Sequence, residues 1–443
     1  MPRLWIHPAR ALVLAFVVSI AVATGLLMLP AAAADGEPTP FVDALLHAAT
    51  TLCVTGVTTL DPATHWSAFG HVVLLVCMQL GALGVMTFAT LLGVLVARRL
   101  SFGARLLAAA ETQTVDLGDL RRILRAVARY TVAIEAVVAV VLAGRWWLGY
   151  GVPLPRALWL GVFHAVSGFT NTGIALFRGN LMPFAGDPWV LLPLAVAAVL
   201  GGLGFPVLLE VAREFRRTAG WSLNTKLVLA TTVVLLVVGG VFVVAGEWSN
   251  RGTLGAVGPA GRVLDGFFQA TMTRSGGYNV VDLEAMRPTT WLGMDLLMLI
   301  GAGPAGTGGG IKVTTFAVLA LLVWSEVRGH ESVHAFGKRV PASALRQAMT
   351  VFALSSVVVL GATMVLMATD GFGLDRSAFE VVSAFATVGL STGITAELSD
   401  PGKVLLVVLM LAGRVGPITL ASAIALRRTE RRYEYAEERP IIG

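Results

Sequence analysis

Long uncharged apolar stretches alternate with short polar ones along the whole chain. Uncharged runs of at least about 20 residues, long enough for a helix to cross a bilayer, occupy residues 11–34, 62–97, 188–209, 227–246 and 347–369. A weaker run over 130–144 contains Glu135 and extends toward Ile123. Two more carry internal charges: residues 290–324 hold Asp295 and Lys312, and residues 404–426 hold Arg414. The pattern predicts eight helical spans, with both termini on one side.

The first run has a competing reading. Arg3 and Arg10, an apolar run and a stretch of small residues before Asp35 resemble a cleaved secretion signal. The run exceeds the usual signal core of about 7–15 residues, and the repeat described below requires it as a helix.

Composition narrows the class. Apolar residues make up 56% of the 443 residues and charged ones 14%, with a mean hydropathy of +0.78. A soluble chain carries about 25% charged residues, so the expectation is an all-α integral membrane protein. The net charge of +6 does not point to nucleic acid, because the basic residues sit between apolar runs. With the termini inside, 22 Lys and Arg fall on the inner side and nine on the outer. That bias predicts that both termini lie in the cytoplasm. Cys53 and Cys77 form neither a metal-ligand pair nor a disulfide framework.

A repeat lies between the odd and even spans. Four segments are too short and polar to cross, and each begins apolar and ends on a glycine: Leu46 to Gly56, Phe163 to Gly173, Phe267 to Gly277 and Phe379 to Gly389. Aligned on that glycine, each has a hydroxyl six places earlier: Thr50, Ser167, Thr271 and Ser383. The glycines lie 117, 104 and 112 residues apart. Such a period predicts a unit of helix, re-entrant loop and helix, with units over residues 1–100, 101–220, 221–340 and 341–443. Two spans per unit put all four glycines on the outer side, arranged with pseudo-fourfold symmetry around one pathway.

The chemistry expected there is that of the backbone. Each apolar stretch forms a half-helix, and the glycine after it permits backbone angles closed to other residues. Inward carbonyls then replace the hydration shell of a cation. The candidate residues are Val54, Thr55 and Gly56; Asn171, Thr172 and Gly173; Ser275, Gly276 and Gly277; and Thr387, Val388 and Gly389. Non-helical backbone at membrane depth is tolerated where it is buried or lines a water-filled cavity.

Residues 301–310 hold six glycines and a proline. Each Gly costs about 1 kcal/mol and Pro about 3 relative to Ala in a helix, so the sixth span should break there. The candidate gate comprises Gly306, Thr307, Gly308, Gly309, Gly310, Lys312 and Arg414. A charge at mid-membrane needs a cavity or carbonyl partners, and Arg414 is expected to hold the freed carbonyls of the loop. The alternative, sharpest for Lys312, is that these cations snorkel to the inner interface. Residues 301–306 also match a dinucleotide fingerprint, which requires a strand and a βαβ unit absent from this apolar context.

Together, Val54-Thr55-Gly56, Asn171-Thr172-Gly173, residues 274–279, residues 387–391, residues 308–312, residues 413–417 and the tail 438–443 carry a resemblance. The chain resembles bacterial potassium-uptake membrane subunits of the Trk/Ktr superfamily, and eight spans rather than ten favour the KtrB type. The resemblance implies potassium at a carbonyl filter, with potassium or sodium as transported or coupling ion. It also implies an intramembrane gating loop with its arginine, and a homodimer in the membrane. A cytoplasmic ring of nucleotide-binding RCK-type regulatory subunits would dock on the inner loops. Glycine in the first loop resembles potassium-selective members, whereas serine there marks sodium-permeable ones. Ile174 departs from the Phe often found after the second glycine. No cofactor is expected in this chain.

Other positions have plainer readings. Glu135 is expected to pair with a cation, Asp295 to lie at the outer interface, and Arg274 to brace the third loop. His47 and His164 read as packing residues, and Trp146 and Trp147 as an interfacial belt. Residues 101–129 and 327–346 are polar inner connections suited to docking a partner. The alternative function is a sodium-coupled secondary transporter of a small solute. Its inverted repeats need an odd number of spans, whereas the unit here has two. No nucleophile–base set or metal motif points to an enzyme.

Overall fold

The computed structural model describes the backbone of residues 8–98 and 117–416, with side chains described for 12–84 and 125–416. Arg3 and the basic tail with residues 438–443 fall outside those ranges, as do residues 99–116 and the side chain of Arg10.

Fifteen helices make up the described chain. Within the first expected unit lie α1 (Pro8–Leu27), α2 (Phe41–Leu52), the single turn α3 (Pro62–His65) and α4 (Ala68–Arg98). The second holds α5 (Leu117–Tyr150), α6 (Leu154–Thr170), α7 (Pro188–Leu203) and α8 (Phe205–Arg213). Then follow α9 (Leu223–Glu247), α10 (Pro259–Thr273), α11 (Pro288–Leu299) and α12 (Val313–Val327). Last come α13 (Ala342–Asp370), α14 (Leu374–Ala386) and α15 (Asp400–Val415). A short hairpin, His334–Ala335 against Lys338–Arg339, interrupts the connection between α12 and α13.

Three stretches, Arg125–Tyr150, Leu223–Glu247 and Ala342–Asp370, are long and apolar enough to span alone. The outer face of α13 is apolar, with Val357, Leu360 and Met364 each at least 65% exposed. Such an apolar girdle suits lipid and not water. The expected fourth span is broken: α7 and α8 meet at 98° across Gly204, whose φ is +90°. The uncharged run concealed this bend. Pro206, which cannot donate to a continuing helix, follows two residues later.

The short helices α2, α6, α10 and α14 form the centre. Each packs within its own unit and also on the last or last-but-one helix of another: α2 on α15, α6 on α4, α10 on α7, and α14 on α11. These contacts run from unit to unit and return to the start. In three units a glycine on the later long helix seats the end of the short helix. A methyl at Gly81, Gly201 or Gly413 would strike the carbonyl of Leu52, Phe169 or Phe385. Small residues at such crossings let helices approach closely without lipid-driven burial.

Trp146 is fully buried against His164, Phe177 and Phe184, so it belongs to the core and not to a belt, while Trp147 is 47% exposed. Glu135 accepts from Gln79 Nε2 at 3.3 Å, an amide in place of the expected cation. Asp295 lies within α11 with a buried Oδ1, away from the outer end of the helix.

Candidate functional site

The four glycine loops meet. A methyl on Gly56 would collide with the Thr172 carbonyl and lie 3.5 Å from Gly389 Cα. On Gly173 it would collide with the backbone of Gly277, and on Gly277 it would crowd the carbonyls of Val388 and Thr172. On Gly389 it would strike the Thr55 carbonyl. Neighbour contacts thus pass from the first loop to the second, third and fourth, and back to the first.

Local backbone chemistry turns the carbonyls into this ring. Val54, Asn171 and Thr387 adopt left-handed angles (φ 57°, 63° and 51°), and two residues later Gly56, Gly173 and Gly389 do so again (100°, 75° and 96°). For β-branched Val54 and Thr387 that conformation costs about 1–3 kcal/mol, as at other over-determined functional backbones. The amides between point back at the short helices. Thr55 donates to Thr50 O at 2.7 Å, Thr172 to Ser167 O at 2.9 Å and Val388 to Ser383 O at 2.9 Å. Hydroxyls complete the set, with Gly56 N–H on Thr50 Oγ1 at 2.9 Å and Gly389 N–H on Ser383 Oγ at 3.1 Å. With their amides satisfied behind them, the carbonyls face the other loops.

The third loop is one residue tighter. Gly277 itself donates to Met272 O at 3.3 Å, joined by Gly276 at 2.8 Å. Met272 therefore stands where the other units carry a hydroxyl. Thr271 does not join the set: its hydroxyl bonds Phe267 O at 2.8 Å, one turn back on its own helix. Spacing on the glycine alone cannot register a turn shortened by one residue. His164 is more than packing, since its Nε2 accepts the Leu176 amide at 3.1 Å.

On one side of the ring lies a cavity of about 290 Å³, bordered by Gly56, Gly173 and Gly389 with Asn180, Asp282 and Ser391. Asn180 Nδ2 donates to Gly173 O at 3.2 Å. Against the opposite side lies the broken sixth span. Between α11 and α12 the chain leaves helix, pinned at its neck by Gly301 N–H on Ile311 O at 2.9 Å. Residues 306–310 are buried and meet the residue two places before the glycine in three loops. Asn171 Nδ2 donates to Thr307 Oγ1, Gly309 N–H donates to Thr387 Oγ1 at 2.8 Å, and Gly308 packs on Ser275 Oγ.

Both expected cations reach this segment. Arg414, 5% exposed, donates to the Thr307 carbonyl and to Gly81 O at 3.1 Å. Lys312 Nζ lies 2.6 Å from Gly308 O, turned toward the loop and not toward the interface. Carbonyl dipoles hold both charges, as a cation buried at membrane depth requires. Arg274 also turns here: its guanidinium donates to Gly301 O at 3.2 Å, bracing the break and not its own loop.

Three participants were not expected. Gly201 O accepts the Thr307 amide at 3.1 Å, Gly202 O accepts Gly303 at 2.8 Å, and the bend at Gly204 opens the space between them. Gly201 and Gly202 lie in the last turn of α7, where carbonyls have no donor within the helix, so the two broken helices complete each other. Three glycines in four residues, followed by Pro206, were the available signal.

A family model described as TrkH, cation transport protein, matches residues 9–431. The chain is 36% identical over 435 residues to "Ktr system potassium uptake protein B" of Vibrio alginolyticus, covering 98% of this chain and 94% of that one. It is 34% identical over 423 residues to the protein of the same name from Bacillus subtilis, covering 95% and 94%. The crystal structure of the potassium transporter TrkH from Vibrio parahaemolyticus has the same fold, with a TM-score of 0.77 at 16% identity over 96% of this chain and 86% of that one.

Proposed function

The chain belongs to the TrkH family of cation transport proteins, multi-pass proteins of the membrane, and on that premise we propose that it carries potassium into the cell through a channel-like pore. The observation that carries this reading is the closed set of contacts among Gly56, Gly173, Gly277 and Gly389. Its amides are tied outward and its carbonyls are left to face a dehydrated cation. The names of the relatives supply the ion.

In this reading the residues of the four loops form the filter: 54–56, 171–173, 275–277 and 387–389. The outward cavity is its entry. The segment 306–310, with Lys312 and Arg414, is the gate, for it lies across the far side of the ring and its bonds are few enough to break together. Four helix–loop–helix units, over residues 1–100, 101–220, 221–340 and 341–443, surround the path.

The chain works as a homodimer in the bacterial inner membrane with its termini in the cytoplasm, and RCK-type nucleotide-binding subunits on the inner loops set the gate. The relatives' designation as parts of a Ktr system supports a partner. The exposed inner hairpin around Phe336, 54% exposed, offers that partner a surface.

Uptake of potassium into cells lacking their own systems tests the reading. The wild-type chain restores growth at low potassium, and Gly56→Asp abolishes it by placing a side chain in the ring. Deletion of residues 306–310 raises flux. Unchanged uptake in Gly56→Asp, or unchanged flux in a well-expressed deletion, removes the filter or the gate respectively.

A further inference from the structure

Behind three of the loops a buried side chain on the short helix receives the amide of the residue three places beyond the glycine. Leu176 donates to His164 Nε2 at 3.1 Å, Val280 to Gln269 Oε1 at 3.1 Å and Thr392 to Glu380 Oε1 at 3.0 Å. In the first unit His47 holds this place, its Nε2 lying 3.4 Å from Leu60 O. All four side chains are fully buried. Each lies three residues before the helix residue that receives the loop amide: Thr50, Ser167, Met272 or Ser383. Every loop is therefore flanked by two attachments to one helix face, one on either side of its glycine.

The three acceptors differ in chemistry. His164 donates from Nδ1 to Leu160 O at 2.8 Å, so its Nε2 is free to accept only in the neutral ring. Gln269 offers one amide oxygen. Glu380 alone brings a carboxyl, and it gathers three donors: the Thr392 amide, the Ser391 hydroxyl and the Thr395 hydroxyl at 2.8 Å. Among the described residues no basic side chain pairs with it. Three convergent donors fit an acceptor-only carboxylate. Gly389 sits between this cluster and Ser383, which takes its amide.

We propose that Glu380 is a positioning residue for ion discrimination: it fixes residues 391–395 behind the fourth loop and thereby the register of the Gly389 carbonyl in the ring. Gln269 and His164 do the same for the third and second loops with one bond each. The proposal rests on the reading of the four loops as a filter. A ring of carbonyls discriminates cations by the number, field and spacing of its dipoles, so slack in one quarter loosens the choice of ion before it stops conduction. Removing the acceptor also leaves the buried Thr392 amide unpaired and frees the Ser391 and Thr395 hydroxyls from their shared anchor, which the segment relieves by shifting.

The test is uptake of potassium and sodium, each over a concentration series, in cells carrying the full-length chain and its native partners. Glu380→Ala lowers potassium-over-sodium discrimination about tenfold, through a raised KM for potassium and a smaller change in maximal rate, because the coordination geometry is what slackens. Glu380→Gln keeps one acceptor oxygen and retains discrimination within about threefold of wild type. Thr395→Val, which keeps the side-chain volume, serves if Glu380→Ala does not reach the membrane, and lowers discrimination in the same direction. A membrane-inserted Glu380→Ala, or failing that Thr395→Val, with wild-type discrimination overturns the proposal. Gly389→Ser is run beside them. If it destroys discrimination while the Glu380 and Thr395 variants keep it, only this proposal falls; if it too changes nothing, the filter reading falls with it.

Discussion

The amide of Gly309 donates to the hydroxyl of Thr387 at 2.8 Å, bonding the glycine-rich break of the third unit to the residue that reverses the fourth loop. Thr387 serves both structures at once: its left-handed backbone turns the loop, and its side chain latches the segment beneath. Thr387→Val keeps the shape and removes the acceptor, leaving a buried amide unpaired at a cost of about 1–3 kcal/mol. The latched arrangement should be weakened by that amount, and potassium flux without the regulatory partner should rise. Flux measured in liposomes, with and without the partner, checks this.

Arg414 bridges two carbonyls, those of Thr307 and Gly81, which lie on different units. Lysine has the charge but not the planar fork that reaches both. Arg414→Lys is expected to raise basal flux partway toward Arg414→Met, and both should leave ion preference intact, since the hydrogen bonds of Arg414 go to Thr307 and Gly81 and not to the four loop glycines. An altered potassium-to-sodium ratio in either variant would place Arg414 at the ring instead.

Gly413 seats the end of α14, where an added methyl would collide with the Phe385 carbonyl. Backbone cannot swing aside as a side chain can, so Gly413→Ala should cost about 1–3 kcal/mol as an overpacked site. The contrasting substitution is Gly361→Ala on the lipid-facing α13, where nothing lies within 4 Å. That change should be neutral or slightly stabilising, by up to about 1 kcal/mol. Thermal unfolding of the two purified variants in detergent compares them.

Outside the spans, Asp187 caps α7 by accepting from Trp189 N–H at 3.0 Å, and its other oxygen takes Arg145 Nε and the Tyr150 hydroxyl, both at 2.8 Å. Burial pushes its pKa up, but these three donors outweigh burial and hold it below the usual carboxylate value. A lowered carboxylate stabilises fully above its unfolded pKa of about 3.9 and loses that stabilisation as pH falls through the native value. Asp187→Ala should therefore cost about 0.5–2 kcal/mol at pH 7, the range for a lost cap, and the deficit should shrink below pH 4. Melting curves of the two proteins across pH 3–7 show whether they converge.

Much of this architecture was legible because membranes simplify the code. Charge-free runs marked the spans, and glycine and proline density located the break at 301–310. Four glycines at a common period located the loops. What escaped depended on partners rather than composition. The bend at Gly204 sits in an uncharged run, and its freed carbonyls make sense only beside the loop that uses them. Trp146 carries the composition of a belt residue but packs on His164 from the same unit. Thr271 matched by count, yet a turn shortened by one residue put Met272 in its place. Glu135 faces Gln79, a partner that no rule of charge pairing would have selected.

Lys403 donates to Asp43 at 2.9 Å across 360 positions of sequence, at the seam where α15 meets α2. During synthesis the opening quarter of the chain must therefore wait, its flank vacant, until the closing quarter leaves the ribosome. A nascent polypeptide released before that moment holds three of the four glycine loops and leaves their circle of contacts unclosed.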